Sequence, residues 1–455
     1  MSKRWRGLRG WNRGPEPDAS GECVAYDDAP FRLFHLRVAV ASTGGVFSDG
    51  FGLGIIGISL GLATPQLQLT PLWLGLLGGG SLAGLFLGAL VTGPAADEFG
   101  RRPVFAYNMA LMAVFAALQF FVVSAAQLLA LRLIIGFLLG TDYVVSKALL
   151  TEFTPRAVRG RILSLLSVAW AGGYACAYLI GFVLKDSGVD AWRWMLLTSA
   201  APCLAVLPLR ITMPETPLWL VEHGHAQRAA RIVCQTVGGS VMPPASPPAP
   251  LRAHGRWRQL FSVTWRRRTL VACAFFTCNV IPYFAVGTFI ARVLAALNVR
   301  GDYLGGVIYN LALLFGAILG LNVIDRIPRR SFLVGSFATA AVTILVLTVA
   351  EQLPPVAIIT LLAVFACVLS AASNLVYVYL PELFPTDLRA SGIGMAIAVS
   401  RIGSAASTFL LPVVVADFGV RVALAACVAV LTIGAVVCQL WAPETRHTRL
   451  GLSDS

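Results

Sequence analysis

Residues 93–102 read Gly93-Pro-Ala-Ala-Asp97-Glu-Phe-Gly100-Arg101-Arg102, a charged turn between two long apolar runs. The pattern Asp97-x-x-Gly100-Arg101-Arg102 returns as Asp325-x-x-Pro328-Arg329-Arg330, 228 residues further on. Glu152-x-x-Pro155-x-x-x-Arg159 returns as Glu382-x-x-Pro385-x-x-x-Arg389 after 230 residues, and Pro214-Glu215-Thr216 as Pro443-Glu444-Thr445 after 229. Three matches within two residues of one offset define an internal repeat, and a repeat decides architecture before any single element does.

The apolar runs between these turns say what is repeated. Hydrophobic residues make up 57% of the 455-residue chain and charged ones 13%, against roughly 25% charged in a soluble domain. Too few polar residues are present to cover the several domains such a length would form in water. Lipid is therefore the solvent for much of the surface. A bilayer core needs about 20 apolar residues per helix, and punctuation by charge, Pro and Gly gives twelve spans: 36–61, 72–94, 104–124, 127–150, 161–183, 194–212, 269–290, 303–324, 331–350, 354–379, 389–412 and 419–441. The expected fold is an all-α membrane protein of twelve transmembrane helices in two parallel six-helix repeats. Repeats of this kind put the binding site near the bilayer midplane, between the halves.

The domain reading follows: an N-terminal segment (1–35), a first half (36–212), a linker (213–268), a second half (269–441) and a tail (442–455). The linker carries Pro243-Pro244, Pro247-Pro248 and many arginines. Most of the 35 Lys and Arg fall in segments that lie together if both termini are cytoplasmic, which the positive-inside bias favours. Residues 1–35 are polar and Arg-rich, so the first apolar run is expected to act as an uncleaved anchor in the plasma membrane, the inner membrane of a bacterium. The net charge of +13 comes from short clusters between spans, such as Arg266-Arg267-Arg268, which argues against nucleic-acid binding. The nine cysteines include no CxxC pair and no His at ligand spacing, so neither disulfides, metal nor cofactor is expected. No GxxxxGK[ST] is present, which argues against nucleotide-driven pumping by this chain, and nothing suggests an enzyme.

The repeated turns resemble signatures of the major facilitator superfamily. Residues 93–102 are similar to its loop between helices 2 and 3. The run Arg132-x-x-x-Gly136-x-x-x-Gly140 through Glu152-x-x-Pro155-x-x-x-Arg159-Gly160 resembles helix 4 of its sugar and metabolite proton symporters. Pro214-Glu-Thr-Pro-Leu-Trp219-Leu resembles their motif after helix 6, and Pro381-Glu382-Leu-Phe-Pro385-Thr their motif after helix 10. The resemblance implies that Asp97, Arg101, Arg102, Glu152 and Arg159 form one conformational latch, with Asp325, Arg329, Arg330, Glu382 and Arg389 as its twin, holding the cytoplasmic face closed in the outward-open state. Charge-assisted bonds between helix ends suit that role. The plainer reading is an orientation signal with solvated loop charge.

Charges inside spans cost at least about 2.5 kcal/mol each and need a reason. Elimination leaves Asp49 and Asp142 among the acids, and Arg132, Lys147 and Arg401 among the bases. Asp49, in Ser48-Asp49-Gly50-Phe51-Gly52, resembles the Asp-Gly-Tyr/Phe-Asp pattern of aromatic-acid and related proton symporters, with Gly52 where the second acid would stand. It is either a proton-coupling group or half of an ion pair. Asp142 is the other candidate for proton coupling. Arg132 is implied by the resemblance to pair with helix 1, or it snorkels to the outer headgroups. Asp142 and Lys147 project about 140° apart on a helix. Either one of them faces the cavity while the other pairs with a neighbouring helix, or Lys147 snorkels and Asp142 joins the latch. Lys147 shares a face with Tyr143. Arg401 resembles the helix 11 arginine of organic-acid symporters, and its fork suits a carboxylate. Substrate-lining candidates are Arg132, Lys147, Arg401, Tyr143, Trp170, Tyr174, Asn279, Tyr283, Tyr309, Asn310, Asn374 and Tyr377.

These residues point to a secondary active transporter. It would move a small polar metabolite, an organic acid or sugar derivative, by alternating access and in symport with protons. It would work as a monomer in the lipid bilayer. The rivals are a proton-driven efflux antiporter of the same fold, and a non-transporting sensor.

Overall fold

In the computed structural model the described residues are 24–238, 241, 242, 244, 259–299, 302–324, 326–350, 352–384 and 386–445. Twelve helices there are long and apolar enough to cross a membrane, and we number them α1 to α12. The first six are Leu33–Leu67, Pro71–Phe99, Arg101–Phe121, Ala125–Phe153, Arg156–Leu184 and Ala191–Ile211. The second six are Arg266–Thr288, Tyr303–Val323, Arg329–Val349, Pro355–Ser373, Ser391–Phe418 and Val420–Trp441. No strand occurs among the described residues; one isolated bridge joins Val24 to Val241. Backbone polar groups in lipid must be satisfied internally, which helices do segment by segment.

The packing repeats as the sequence does. Helix α1 lies on α5, α2 on α4 and α3 on α6; in the second copy α7 lies on α11, α8 on α10 and α9 on α12. The copies meet through α2 against α11 and α5 against α8. The Gly136 and Gly140 positions of α4 face α2 at backbone distance: a Cβ at either would lie 2.2 Å from a carbonyl oxygen, of Ser81 or of Leu85. Small residues at this spacing let helices close without a hydrophobic drive from water. Outward, Leu90, Tyr107, Phe121, Phe315, Val349 and Leu440 are exposed, a belt suited to lipid.

Two departures from the expected spans have local causes. The tenth span, expected to run unbroken through 379, tightens at Asn374 before a short helix Leu375–Glu382, because Asn374 sends both its backbone N–H and its amide to Ala371 O. The linker region is also partly helical, over Pro217–Glu222 and Ala226–Thr236. Ala229 and Val233 of the second of these pack with Ala29, Val237 and Val241. The linker and both described termini therefore sit at one end of the bundle, the linker end; the α1–α2 turn marks the far end.

The copies close on each other at the far end. A Cβ on Gly57 of α1 would lie 2.0 Å from Thr288 O of α7, and one on Gly75 of α2 would lie 2.2 Å from Phe409 O of α11. Arg292 also donates to Thr64 Oγ1 at 3.3 Å across the copies.

Candidate functional site

Between the copies lies a small cavity. Its wall comes from α1, α2, α4, α5, α7, α10, the Leu375–Glu382 helix and α11. Of the sequence candidates, Asp49, Tyr143, Trp170, Tyr283, Tyr377 and Arg401 line it. Ser167, Ser370, Ser373, Phe276 and Phe284 line it too. Single serines and phenylalanines within apolar runs give no signal in a sequence.

Aromatic rings dominate one side. Trp170 stacks on Tyr174 at 5.2 Å, and lies 5.8 Å from both Tyr283 and Phe284. Two cations face these rings. The Lys147 ammonium sits 3.4 Å from the Tyr143 ring centroid and 5.0 Å from that of Tyr377. The Arg401 guanidinium lies 5.2 Å from the Tyr143 ring, 5.6 Å from Phe276 and 6.0 Å from Phe284. Arg401 is buried, its Nε finds no acceptor, and no carboxylate lies within ion-pair distance of it or of Lys147 among the described residues. Rings partly stabilise a desolvated cation, by about 0.5–2 kcal/mol. They do not neutralise it.

Other candidates stand elsewhere. Asp142 is wholly buried against Arg210 of α6, which grips it through both terminal nitrogens. Arg210 therefore joins the interior charges, a correction to the count of three buried bases; at the inner end of its span it reads as a loop arginine. Asp49 is also buried, and both its oxygens lack a hydrogen-bond partner. Arg132 neither snorkels nor meets a carboxylate: it donates to Gly52 O at 3.0 Å and Gln119 Oε1 at 3.4 Å, off the cavity. Asn279 and Tyr283 were expected on one wall, but Asn279 turns to α10, bonding Leu369 O and Ser373 Oγ. Asn374 bonds Ala317 O of α8, and Asn310 bonds Gly306 O within its own helix. Tyr174 and Tyr309 are buried outside the cavity, and a Cβ on Gly287 would lie 3.6 and 3.5 Å from their hydroxyls. Asn279, Asn310, Asn374 and Tyr309 thus serve helix packing in this conformation.

The repeated turns form two matching networks, each within one copy. Arg101 bridges Asp97 at 3.1 Å and Glu152 at 3.0 Å, joining the ends of α2 and α4. Arg329 meets Glu382 at 3.5 Å. Arg159 departs from the expected set: it pairs with Asp27 at 2.6 Å, before α1, rather than with Glu152. Arg102 enters through its backbone N–H. Asp325 and the Arg389 side chain lie outside the described residues. Two acids not assigned from sequence complete the pattern. Glu215 accepts from the N–H groups of Arg101 and Arg102 at 3.1 Å, and Glu444 from those of Arg329 and Arg330 at 2.9 and 3.0 Å. Each caps the first turn of a span, α3 or α9, where free N–H groups and the helix dipole favour a carboxylate. Their signal was the Pro-Glu-Thr repeat itself.

Residues 39–453 match the family described as sugar (and other) transporter. The chain belongs to that family, within the major facilitator superfamily. The transporter is 39% identical over 425 residues to the inner membrane metabolite transport protein YgcS of Escherichia coli K12, covering 93% of this chain and 94% of the relative. It is 34% identical over 428 residues to the putative metabolite transport protein YaaU of the same organism, covering 93% and 96%. Its fold matches the xylose transporter XylE from E. coli, in a partially occluded inward-open conformation, with a TM-score of 0.76. That match covers 92% of this chain and all of XylE at 18% identity. The protein is therefore a multi-pass plasma-membrane transporter of small metabolites and not an enzyme.

Proposed function

We propose that this transporter carries a small organic anion together with a proton, by alternating access, from the side of the far end to the side of the linker end. Both termini and the linker are cytoplasmic in this reading, and one chain is the working unit. The observation that carries it is Arg401: a buried guanidinium on the cavity wall, with a free Nε and no carboxylate beside it among the described residues. A buried cation left uncompensated is costly, and a substrate carboxylate would supply two parallel charge-assisted bonds. Lys147, over the Tyr143 and Tyr377 rings, adds a second positive charge beside the cavity.

Asp49 supplies the coupling. In the empty carrier its charge can be balanced by the cavity cations. Once an anion occupies Arg401 and Lys147, an ionised Asp49 in the same wall must share those two cations with it, and it gains by taking a proton. The carrier then holds anion and proton together, or neither. Domain closure that moves only these two states across the membrane is symport.

The test uses purified protein. A thermal-shift screen against organic acids, sugars and sugar acids selects the substrate, since binding raises apparent stability. Liposomes with an inward proton gradient should then accumulate it. Asp49→Asn should abolish that accumulation while counterflow exchange persists. Unchanged proton-driven uptake in Asp49→Asn, or export of cationic dyes in place of anion uptake, would overturn the reading.

A further inference from the structure

Behind the cavity wall, α1, α3, α4 and α6 meet around Arg210. The Arg210 Nε donates to Ala41 O at 3.1 Å. One terminal nitrogen donates to Asp142 Oδ1 and to Phe105 O. The other donates to Asp142 Oδ2 at 3.1 Å and Ser146 Oγ at 3.0 Å. The guanidinium also lies 3.9 Å from the Phe105 ring centroid. A guanidinium has five N–H donors, and all five are taken. Asp142 is held as firmly, since Ser146 Oγ donates to its Oδ2 at 3.0 Å.

Asp49 stands next to this saturated pair. Gly45, four residues before it on the same face of α1, touches the pair directly: a Cβ there would lie 1.5 Å from Arg210 Nη2 and 2.8 Å from Asp142 Oδ2. The Asp49 carboxyl comes within hydrogen-bonding reach of Asp142, yet neither of its oxygens meets a donor. The other charged or titratable groups around it are few. Lys147 of α4 and Arg401 of α11 lie on the cavity side. On α6, Cys203 is buried and turned to Ser199 O. Helix α5 brings Trp170, with Tyr174 stacked on it, and α7 brings Tyr283, Trp170 and Tyr283 being on the cavity wall; α3 brings the Phe105 carbonyl and ring to Arg210.

An ionised Asp49 would face the Asp142 carboxylate with no donor between them. A protonated Asp49 can donate to it, the arrangement by which two neighbouring carboxyls share one proton. We propose that Asp49, Asp142 and Arg210 form a single proton site, in which Asp49 carries the proton, the Asp142 carboxylate accepts its hydrogen bond, and Arg210 keeps Asp142 ionised and fixed. Asp142 and Arg210 are positioning residues: they hold the proton on Asp49 without exchanging it. On release, the Asp49 O–H bond breaks, the proton passes to water in the cavity, and the new carboxylate turns to the field of Lys147. The site rests on the reading of Asp49 as the coupling group, and it explains why a second buried acid stands beside the first.

The test needs no transported ligand. Infrared pH-difference spectra of the full chain in liposomes should contain a protonated-carboxyl C=O band that Asp49→Asn removes. Asp142→Asn frees Arg210 donors for Asp49, so the band's midpoint should fall by at least about one pH unit; Arg210→Gln leaves two carboxyls without a cation, so it should rise by a similar amount. A merely structural pair would not move the midpoint in opposite directions. If the single variants do not fold, Asp142→Asn/Arg210→Gln leaves no unpaired charge; its weaker acceptor should shift the Asp49 band towards the free-acid frequency. A band that survives Asp49→Asn, midpoints that move together or not at all, or an unshifted band in the double variant would overturn the proposal. Proton-driven uptake that persists in Asp49→Asn would instead overturn Asp49 as the coupling group, whatever the spectra show.

Discussion

A methyl group on Gly45 tests the buried centre most directly. The Cβ of Gly45→Ala would stand 1.5 Å from Arg210 Nη2, 2.5 Å from Arg210 Cζ and 2.8 Å from Asp142 Oδ2. Non-bonded carbons and their neighbours settle at roughly 3.5–4.0 Å, so the guanidinium must retreat by about 2 Å. Hydrogen bonds that hold at roughly 2.7–3.2 Å do not survive that displacement, and the retreat breaks the fork to Asp142. Breaking a buried ion pair costs about 3–5 kcal/mol. Alanine returns about 1 kcal/mol through its helix propensity, leaving a net loss of about 2–4 kcal/mol. Gly52, two turns further along the same helix, is the control, because a Cβ there meets nothing within 4 Å. Gly52→Ala should be neutral or slightly stabilising. Unfolding of the two purified variants in detergent, followed by tryptophan fluorescence, separates the cases. Gly45→Ala should unfold well below the parent and Gly52→Ala at or above it. Adding Asp142→Asn and Arg210→Met to Gly45→Ala should recover much of the loss, since an apolar replacement removes the charges that were stranded. Equal stability of the two alanine variants would refute the packing argument.

Other outcomes follow from the same geometry. Arg401→Lys keeps the charge and loses the fork, so substrate KM should rise by about tenfold or more, the worth of one charge-assisted bond; uptake kinetics in liposomes read this. Glu215→Ala and Glu444→Ala should each lower thermal stability by about 0.5–2 kcal/mol through the loss of a cap. The effect should be larger for Glu215, which is buried where Glu444 is exposed. If one monovalent anion enters with one proton, no net charge crosses: a potassium diffusion potential at equal pH should leave uptake unchanged, while a pH gradient drives it.

The fold was legible because its signals are long and redundant. Twelve apolar runs and three repeated turns each point to the same architecture, and small shifts at helix ends alter none of it. The helix-capping role of Glu215 was legible only as a pattern. Its chemistry needs the free N–H groups of Arg101 and Arg102, which lie more than a hundred residues away in sequence. Arg159 shows the opposite case, a motif position whose partner, Asp27, lies in a segment that carries no repeat. The asparagines misled for a physical reason. In an apolar run, an amide that binds substrate and an amide that pins two helices look the same, and Asn279 and Asn374 do the second.

The charge inventory explains why the site was half-read. Counting Arg132, Lys147 and Arg401 against Asp49 and Asp142 treats all five as one pool, whereas burial divides them into closed groups. Asp142 is spent on Arg210, and Arg132 on a backbone carbonyl and Gln119. What remains at the cavity is Asp49 against Lys147 and Arg401, a set one negative charge short of balance. A substrate anion closes that gap only while Asp49 stays ionised. With Asp49 protonated, the two cations are left for the anion alone and bind it more tightly, which is the thermodynamic content of coupling. The same linkage works in reverse, so a bound anion must hold the proton more firmly. The second copy supplies the arginine and the first supplies the acid and lysine, so closing the two copies on each other is what brings the coupled charges together.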